Sequence, residues 1–140
     1  MPNLVFDKGY KEYTINGDKN VAIRVYTSDW DMLSRLSKVR EKIADKVKKL
    51  KKLPDGFDET LKMISDVDRE VKAEIDAAFG TPVSENAFGN INCLSFAGGQ
   101  PVALNFLDAV IPEIQKGFEE EQKKAEDKLS KYTETAKQYK

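Results

Sequence analysis

Apolar and polar residues alternate with a period of two between Tyr10 and Tyr26, and the run is broken once, at Asn16-Gly17-Asp18-Lys19. Asn-Gly favours positive φ at both central positions of a tight reversal, so the segment predicts a β-hairpin. Tyr13, Ile15, Val21, Ile23 and Val25 share the face expected to lie on helices, and Leu4 to Phe6 would add a third short strand. A two-stranded hairpin is marginal alone, so a helical surface has to lie beneath it.

From Ser28 the period changes to that of a helix. Ser28 with Asp31 three residues later reads as a capping box, and the helix is expected to run to about Leu53, before the turn chemistry of Pro54-Asp55-Gly56. Leu33, Leu36, Ile43, Val47 and Leu50 follow a heptad seam in which Arg40 stands at an apolar position. A second helix, from about Asp58 to Phe79, repeats the design with Phe57, Leu61, Ile64, Val71, Ile75 and Ala78, and with Asp68 at the odd place. Charge then changes the picture. Arg35 to Lys52 carries nine basic and two acidic residues, whereas Asp55 to Asp76 carries eight acidic and three basic. Opposite charge and a turn between them predict an antiparallel helical hairpin, with Arg40 and Asp68 meeting across the seam as a register pair.

Two Phe-Gly dipeptides nine residues apart follow, Phe79-Gly80 and Phe88-Gly89. Each glycine stands where a left-handed helix cap is usually required, so the segment reads as a packed joint with the two phenylalanines inside it. Pro101 then suits the first turn of another helix, expected over 101–118. Phe106, Leu107, Val110, Ile111, Ile114 and Phe118 form a broad apolar stripe on it, and Pro112 is expected to kink it near Asp108. The stripe is either core or a surface that receives another helix, and its six residues are the candidates for partner contact. From Glu119 to Lys140 acidic and basic residues balance, and only a thin seam of Ala125, Leu129, Tyr132, Ala136 and Tyr139 is left, as in a solvated helical extension. The architecture expected is α+β, mostly α: a hairpin over 10–26 on helices at about 28–53, 58–79 and 101–118 as one domain of residues 1–118, then a charged helix over 119–140.

Composition narrows the chemistry. With 34% charged and 40% hydrophobic residues in 140, one globular core is expected, and a net charge of −1 gives no overall pull towards nucleic acid or anionic membranes. The lysines of Lys46 to Lys52 surround a helical seam beside an acidic helix and lack interleaved aromatics, so a nucleic-acid partner is not expected. The absence of histidine removes Ser-His and Cys-His nucleophilic systems and His-based zinc sites, and no activated nucleophile can be assembled from what remains. No enzyme activity, cofactor or metal site is expected. The lone Cys93 cannot form an internal disulfide and reads as a small buried apolar residue, and neither a signal sequence nor a long apolar run is visible. The expected location is the cytoplasm, with no membrane partner.

The run Ile75-Asp76-Ala77-Ala78-Phe79-Gly80, followed by Phe88-Gly89 and an apolar helix, resembles the small tail assembly chaperones of long-tailed phages and prophages. The N-terminal β-rich segment with its Ile15-Asn16-Gly17 turn, the helical hairpin and the final charged helix occur in the same order in that family. The long lysine-rich first helix and the extension from Glu119 depart from it. The resemblance implies a protein, absent from the finished virion, that binds the tape measure protein in the host cytoplasm and keeps it soluble while the tail tube forms. Tail tube protein is a further implied partner, and self-association is compatible with the role. Two other readings stand beside it: a structural tail or baseplate adaptor kept in the particle, and a helical adaptor unrelated to phages.

Overall fold

The computed structural model describes residues 1–50, 52 and 54–138, with the side chains of residues 134–138 outside that description. The architecture is α+β and mostly α, an N-terminal hairpin lying on packed helices and a long final helix. Strands β1 (Tyr10–Ile15) and β2 (Asp18–Tyr26) pair antiparallel from Tyr10↔Tyr26 to Thr14↔Ala22, and a bulge shifts the register between Thr14 and Ile15. Asn16 and Gly17 sit at φ 49° and 77°, the two positive values that a primed turn demands. Ile23 and Val25 are buried against the helices and Tyr13 and Ile15 are half-buried, so the expected inner face is the observed one.

The third strand expected at Leu4 to Phe6 does not form. These residues are 87%, 90% and 70% exposed. The Asp7 carboxylate accepts the Gly9 N–H at 2.8 Å and Gly9 adopts φ 80°, so a turn separates this segment from β1.

Helix α1 (Trp30–Lys49) begins one residue later than the capping box implied. Asp29 is the N-cap and its carboxylate accepts the Asp31 N–H at 3.0 Å. Ser28 is left in the turn that Asp29 N–H closes on the Tyr26 carbonyl. The helix caps at Leu50, short of the Leu53 expected, and Leu53 itself lies outside the described residues. Its buried residues are Met32, Leu36, Val39 and Ile43, with Leu33, Val47 and Leu50 only partly covered. The seam is therefore rotated from the one expected, because α1 packs against two helices and its apolar face has to serve both.

Helix α2 (Phe57–Phe79) runs back along α1. Only its far half is well covered: Val71, Ile75, Ala78 and Phe79 are buried, whereas Phe57 and Leu61, near the Pro54 turn, are 76% and 50% exposed. Lys46 reaches Glu70 at 2.8 Å across the two helices, and that hydrogen bond raises the lysine pKa. The register pair expected between Arg40 and Asp68 is absent. Arg40 Nε lies 3.0 Å from Asp108 on the last helix, and Asp68 pairs with Lys72 on its own helix at 3.1 Å. With Val39 inward, its neighbour Arg40 is turned towards that last helix instead of α2.

A short helix α3 (Ser84–Phe88) and a two-residue ladder of β3 (Phe96–Ala97) with β4 (Gln100–Pro101) lead into α4 (Val102–Gln138). Pro101 thus ends the ladder just ahead of the helix. The helix expected over 101–118 and the extension expected from 119 are one continuous helix that runs through Pro112. Its covered half lies on α1 and the hairpin, and at Gly117 it passes tightly against Thr27. A Cβ there would lie 1.9 Å from the Thr27 carbonyl oxygen, so only glycine lets α4 pass over the end of β2. Gly117→Ala is expected to destabilise the fold by about 2–3 kcal/mol, measured by urea denaturation, since backbone on both sides has to shift. An unchanged midpoint would show that the two elements do not meet there.

Candidate partner-binding surfaces

The joint begins at Gly80, which caps α2 in the left-handed region at φ 75° and donates its N–H to Asp76 and Ala77 carbonyls. The Asp76 carboxylate turns forward to accept the Ser84 N–H at 2.7 Å and its hydroxyl at 2.9 Å, tying the start of α3 to the end of α2. Gly89 ends α3 at φ 57°. Phe79 and Phe88 are both buried, and each meets Phe106 of α4, with ring centroids 5.8 and 5.5 Å apart. The four residues Phe79, Gly80, Phe88 and Gly89 thus form a corner that grips α4.

Asp68 fastens the outgoing chain to α2. Its carboxylate accepts the Cys93 N–H at 2.8 Å and faces Lys72. Burial alone would raise its pKa, but hydrogen bonds from the Cys93 backbone and thiol and from Lys72 outweigh that and hold the carboxyl below its usual range. Cys93 is fully buried, and burial first, with Asp68 beside it, pushes its thiol up to about 12.

The six stripe residues divide. Leu107 and Ile114 are wholly buried and Val110 nearly so, so the centre of the stripe is core. Phe106 fills the corner just described, and Ile111 packs at the edge of the core. Phe118 alone leads outward: its ring stacks with Trp30 at a centroid distance of 3.9 Å, and Trp30 is 71% exposed. Helical spacing then carries one face on through Ala125, Leu129 and Tyr132. Leu129 and Tyr132 are 67% and 76% exposed, and Ala136 and Tyr139 of the expected seam lie outside the described side chains. Trp30, Phe118, Leu129 and Tyr132 make an apolar ridge along a charged helix. Trp30 was not legible as part of it, because its place at the first turn of α1 meets α4 only in three dimensions.

A second uncovered surface is a groove of about 440 Å³ between the hairpin and the first half of α4. Tyr13, Ile15, Ile23 and Val25 line it from the hairpin, and Phe88, Val102, Phe106 and Val110 line it from the helices. Asn16, Asn105 and Glu113 stand among the lining residues, and the Tyr13 hydroxyl donates to Glu113 at 3.2 Å. Burial and then the Glu113 charge raise the tyrosine pKa. Among the described residues no cluster of acidic or cysteine side chains is placed to hold a metal ion, and no helix is long and apolar enough to cross a membrane. What the two surfaces can do chemically is bury apolar side chains.

Asp68→Asn tests the fastening of the joint. A carboxyl whose pKa is depressed by folding contributes stability above its unfolded value, near 3.9, and loses it as the pH falls through the folded value. The variant is expected to be about 1–2 kcal/mol less stable at neutral pH, with the difference shrinking below about pH 4. A difference independent of pH in denaturation curves would contradict the assignment. Comparison of the chain with models of known families, with curated proteins and with solved structures finds no match.

Proposed function

We propose that this chain is a tail assembly chaperone of the long-tailed phage type, which binds the tape measure protein in the host cytoplasm and keeps it soluble until tube subunits replace it. The observation that supports this reading most directly is the ridge on α4. A helix that leaves the body at about Glu119 and continues to Gln138 extends some 30 Å, and it carries Leu129 and Tyr132 exposed on the face that Phe118 and Trp30 begin. A long helical client exposes apolar stripes of its own that aggregate unless covered. Laying one helix face on another covers both.

The chemistry of the ridge suits a temporary partner. Its anchors are few and sit among exposed charges of both signs, so the contact of one copy is weak and readily reversed. Several copies along one client hold it through avidity, and each is displaced singly when the tube advances. The six residues of the α4 stripe are not the contact set in this reading, apart from Phe118, which stands at the root of the ridge.

Co-expression with a tape measure protein tests the proposal. The wild-type chain is expected to bring that protein into a soluble complex and to be missing from completed particles by mass spectrometry. Leu129→Asp with Tyr132→Asp changes only exposed positions, so it is expected to keep its melting temperature within about 2 °C and to lose at least tenfold in yield of soluble complex. Retention of the chain in particles at fixed stoichiometry would make it a structural tail component, and full rescue by the double variant would move the contact away from the ridge.

A further inference from the structure

The apolar ridge on α4 is flanked by charges of opposite sign. Phe118, Ala125, Leu129 and Tyr132 share one face of the helix, and helical spacing places Lys124 and Lys128 along one side of it with Lys131 behind them. These three lysines line one shallow hollow with Ala125, together with Glu121 and Asp127, and Asp127 falls on the back of the helix. On the other side of the ridge stand Glu119, Gln122, Glu126 and Thr133, with no lysine among them. All of these flanking side chains are exposed. We infer that the ridge selects an amphipathic helix whose own flanks differ in sign, with carboxylates on the side that lies along Lys124 and Lys128 and lysines or arginines on the side that lies along Glu119 and Glu126. The inference rests on the reading that the arm receives a helical client, and it says which stripe of such a client is taken and which way the client runs.

Each exposed ion pair on the arm is weak. Glu121 and Lys124 lie 3.6 Å apart with both side chains more than half exposed, so little is lost when the lysine turns to a carboxylate of the partner. Under a partner helix the same charges act with less water between them, and a like charge set across the contact is penalised. Apolar side chains therefore supply the affinity, and the flanks supply the choice among stripes. Turning a client helix end for end keeps its apolar stripe on the ridge but exchanges its flanks. A helix acidic on one side and basic on the other thus matches the ridge in one direction only, and a helix of a single sign mismatches one flank in either direction.

The same pattern argues against a second copy and against a lipid surface. Two arms laid antiparallel would set lysine flank on lysine flank and glutamate flank on glutamate flank. Two arms laid parallel and in register would match the flanks but set Ala125 on Ala125, leaving a gap between the large side chains of Phe118 and Tyr132. An anionic membrane surface would meet Glu119 and Glu126 directly beside the ridge.

Calorimetry of the whole chain with three model helices of about 21 residues tests it, each with a seam of alternating leucine and alanine that keeps it from pairing with itself. Their flanks are glutamate on one side and lysine on the other, glutamate on both, or lysine on both. The two-signed helix is expected to bind about tenfold more tightly than either of the others at low salt, with the advantage shrinking as salt rises. Lys124→Gln with Lys128→Gln and Lys131→Gln is expected to bind the two-signed and all-lysine helices alike, and Lys124→Glu with Lys128→Glu and Lys131→Glu to favour the all-lysine helix. The glutamine variant keeps the test sound if the added glutamates unwind the arm. Trp30 is the only tryptophan and stands at the root of the ridge. A nitroxide at one end of the two-signed helix is therefore expected to quench its fluorescence and at the other end to leave it, and exchanging the flanks is expected to exchange the ends. Three helices that bind alike or not at all up to about 1 mM, a glutamine variant that still prefers the two-signed helix to the all-lysine one, the same end quenching after the flanks are exchanged, or an arm-dependent dimer of the chain alone in light scattering would each overturn it. If Leu129 and Tyr132 are needed to rescue a tape measure protein while the three helices bind alike, the client reading stands and this inference falls. A two-signed preference without any rescue gives the reverse.

Discussion

The position of the long helix rests on one aromatic contact, Phe106 against both Phe79 and Phe88. Phe79 ends α2 and Phe88 ends α3, and each is followed by a glycine at positive φ that lets the chain turn away while the ring stays inside. Packing of three rings at one corner fixes where α4 starts relative to the helical hairpin. Gly117, eleven residues later, fixes the same helix against the end of β2. Two points determine a line, so the direction in which α4 leaves the body follows from the corner and from one missing Cβ.

That helix lives in two environments. Up to Phe118 its apolar stripe is buried or partly covered, and beyond Glu120 every described side chain is exposed. A helix of this second composition would be marginal alone, since nucleation is unfavourable and its apolar seam is thin. Here the nucleus is supplied by the covered half, and outer turns add one hydrogen bond per residue to a helix already formed. Ion pairs such as Glu121 with Lys124, at 3.6 Å and exposed, contribute little to stability and much to solvation of the surface around Leu129 and Tyr132. The cost of ordering the arm is therefore largely met before any partner arrives, as the proposed helix-on-helix contact requires.

What was legible in the sequence had local causes. Asn16-Gly17 specifies its turn without help from the rest of the chain, the alternation of Tyr13 to Val25 selects the inner face, and the glycine of Phe79-Gly80 caps α2 where its neighbours dictate. What was not legible depended on distant neighbours. A heptad count gives the period of α1 but not its phase, and contact with both α2 and α4 selected Met32 and Val39 over Leu33 and Arg40. The same rotation sent Arg40 to Asp108, while Asp68 was taken by a backbone N–H from a loop that periodicity does not describe. Ser28 lost the cap to Asp29 because the hairpin's exit turn consumed it. On α4 the choice between core and surface could not be made from spacing, since a stripe at i, i+3, i+4 serves both equally.

The central claim is that α4 is core in its first half and an open partner surface in its second. Hydrogen exchange read by mass spectrometry, with and without the proposed tape measure client, tests it most directly. The account predicts strong protection of 102–118 in the chain alone, weak protection of 119–138, and a gain of protection confined mainly to 119–138 and the Trp30 turn when the client is bound. Protection of 119–138 that is already high in the monomer, or that does not change with the client while 102–118 does, would contradict it.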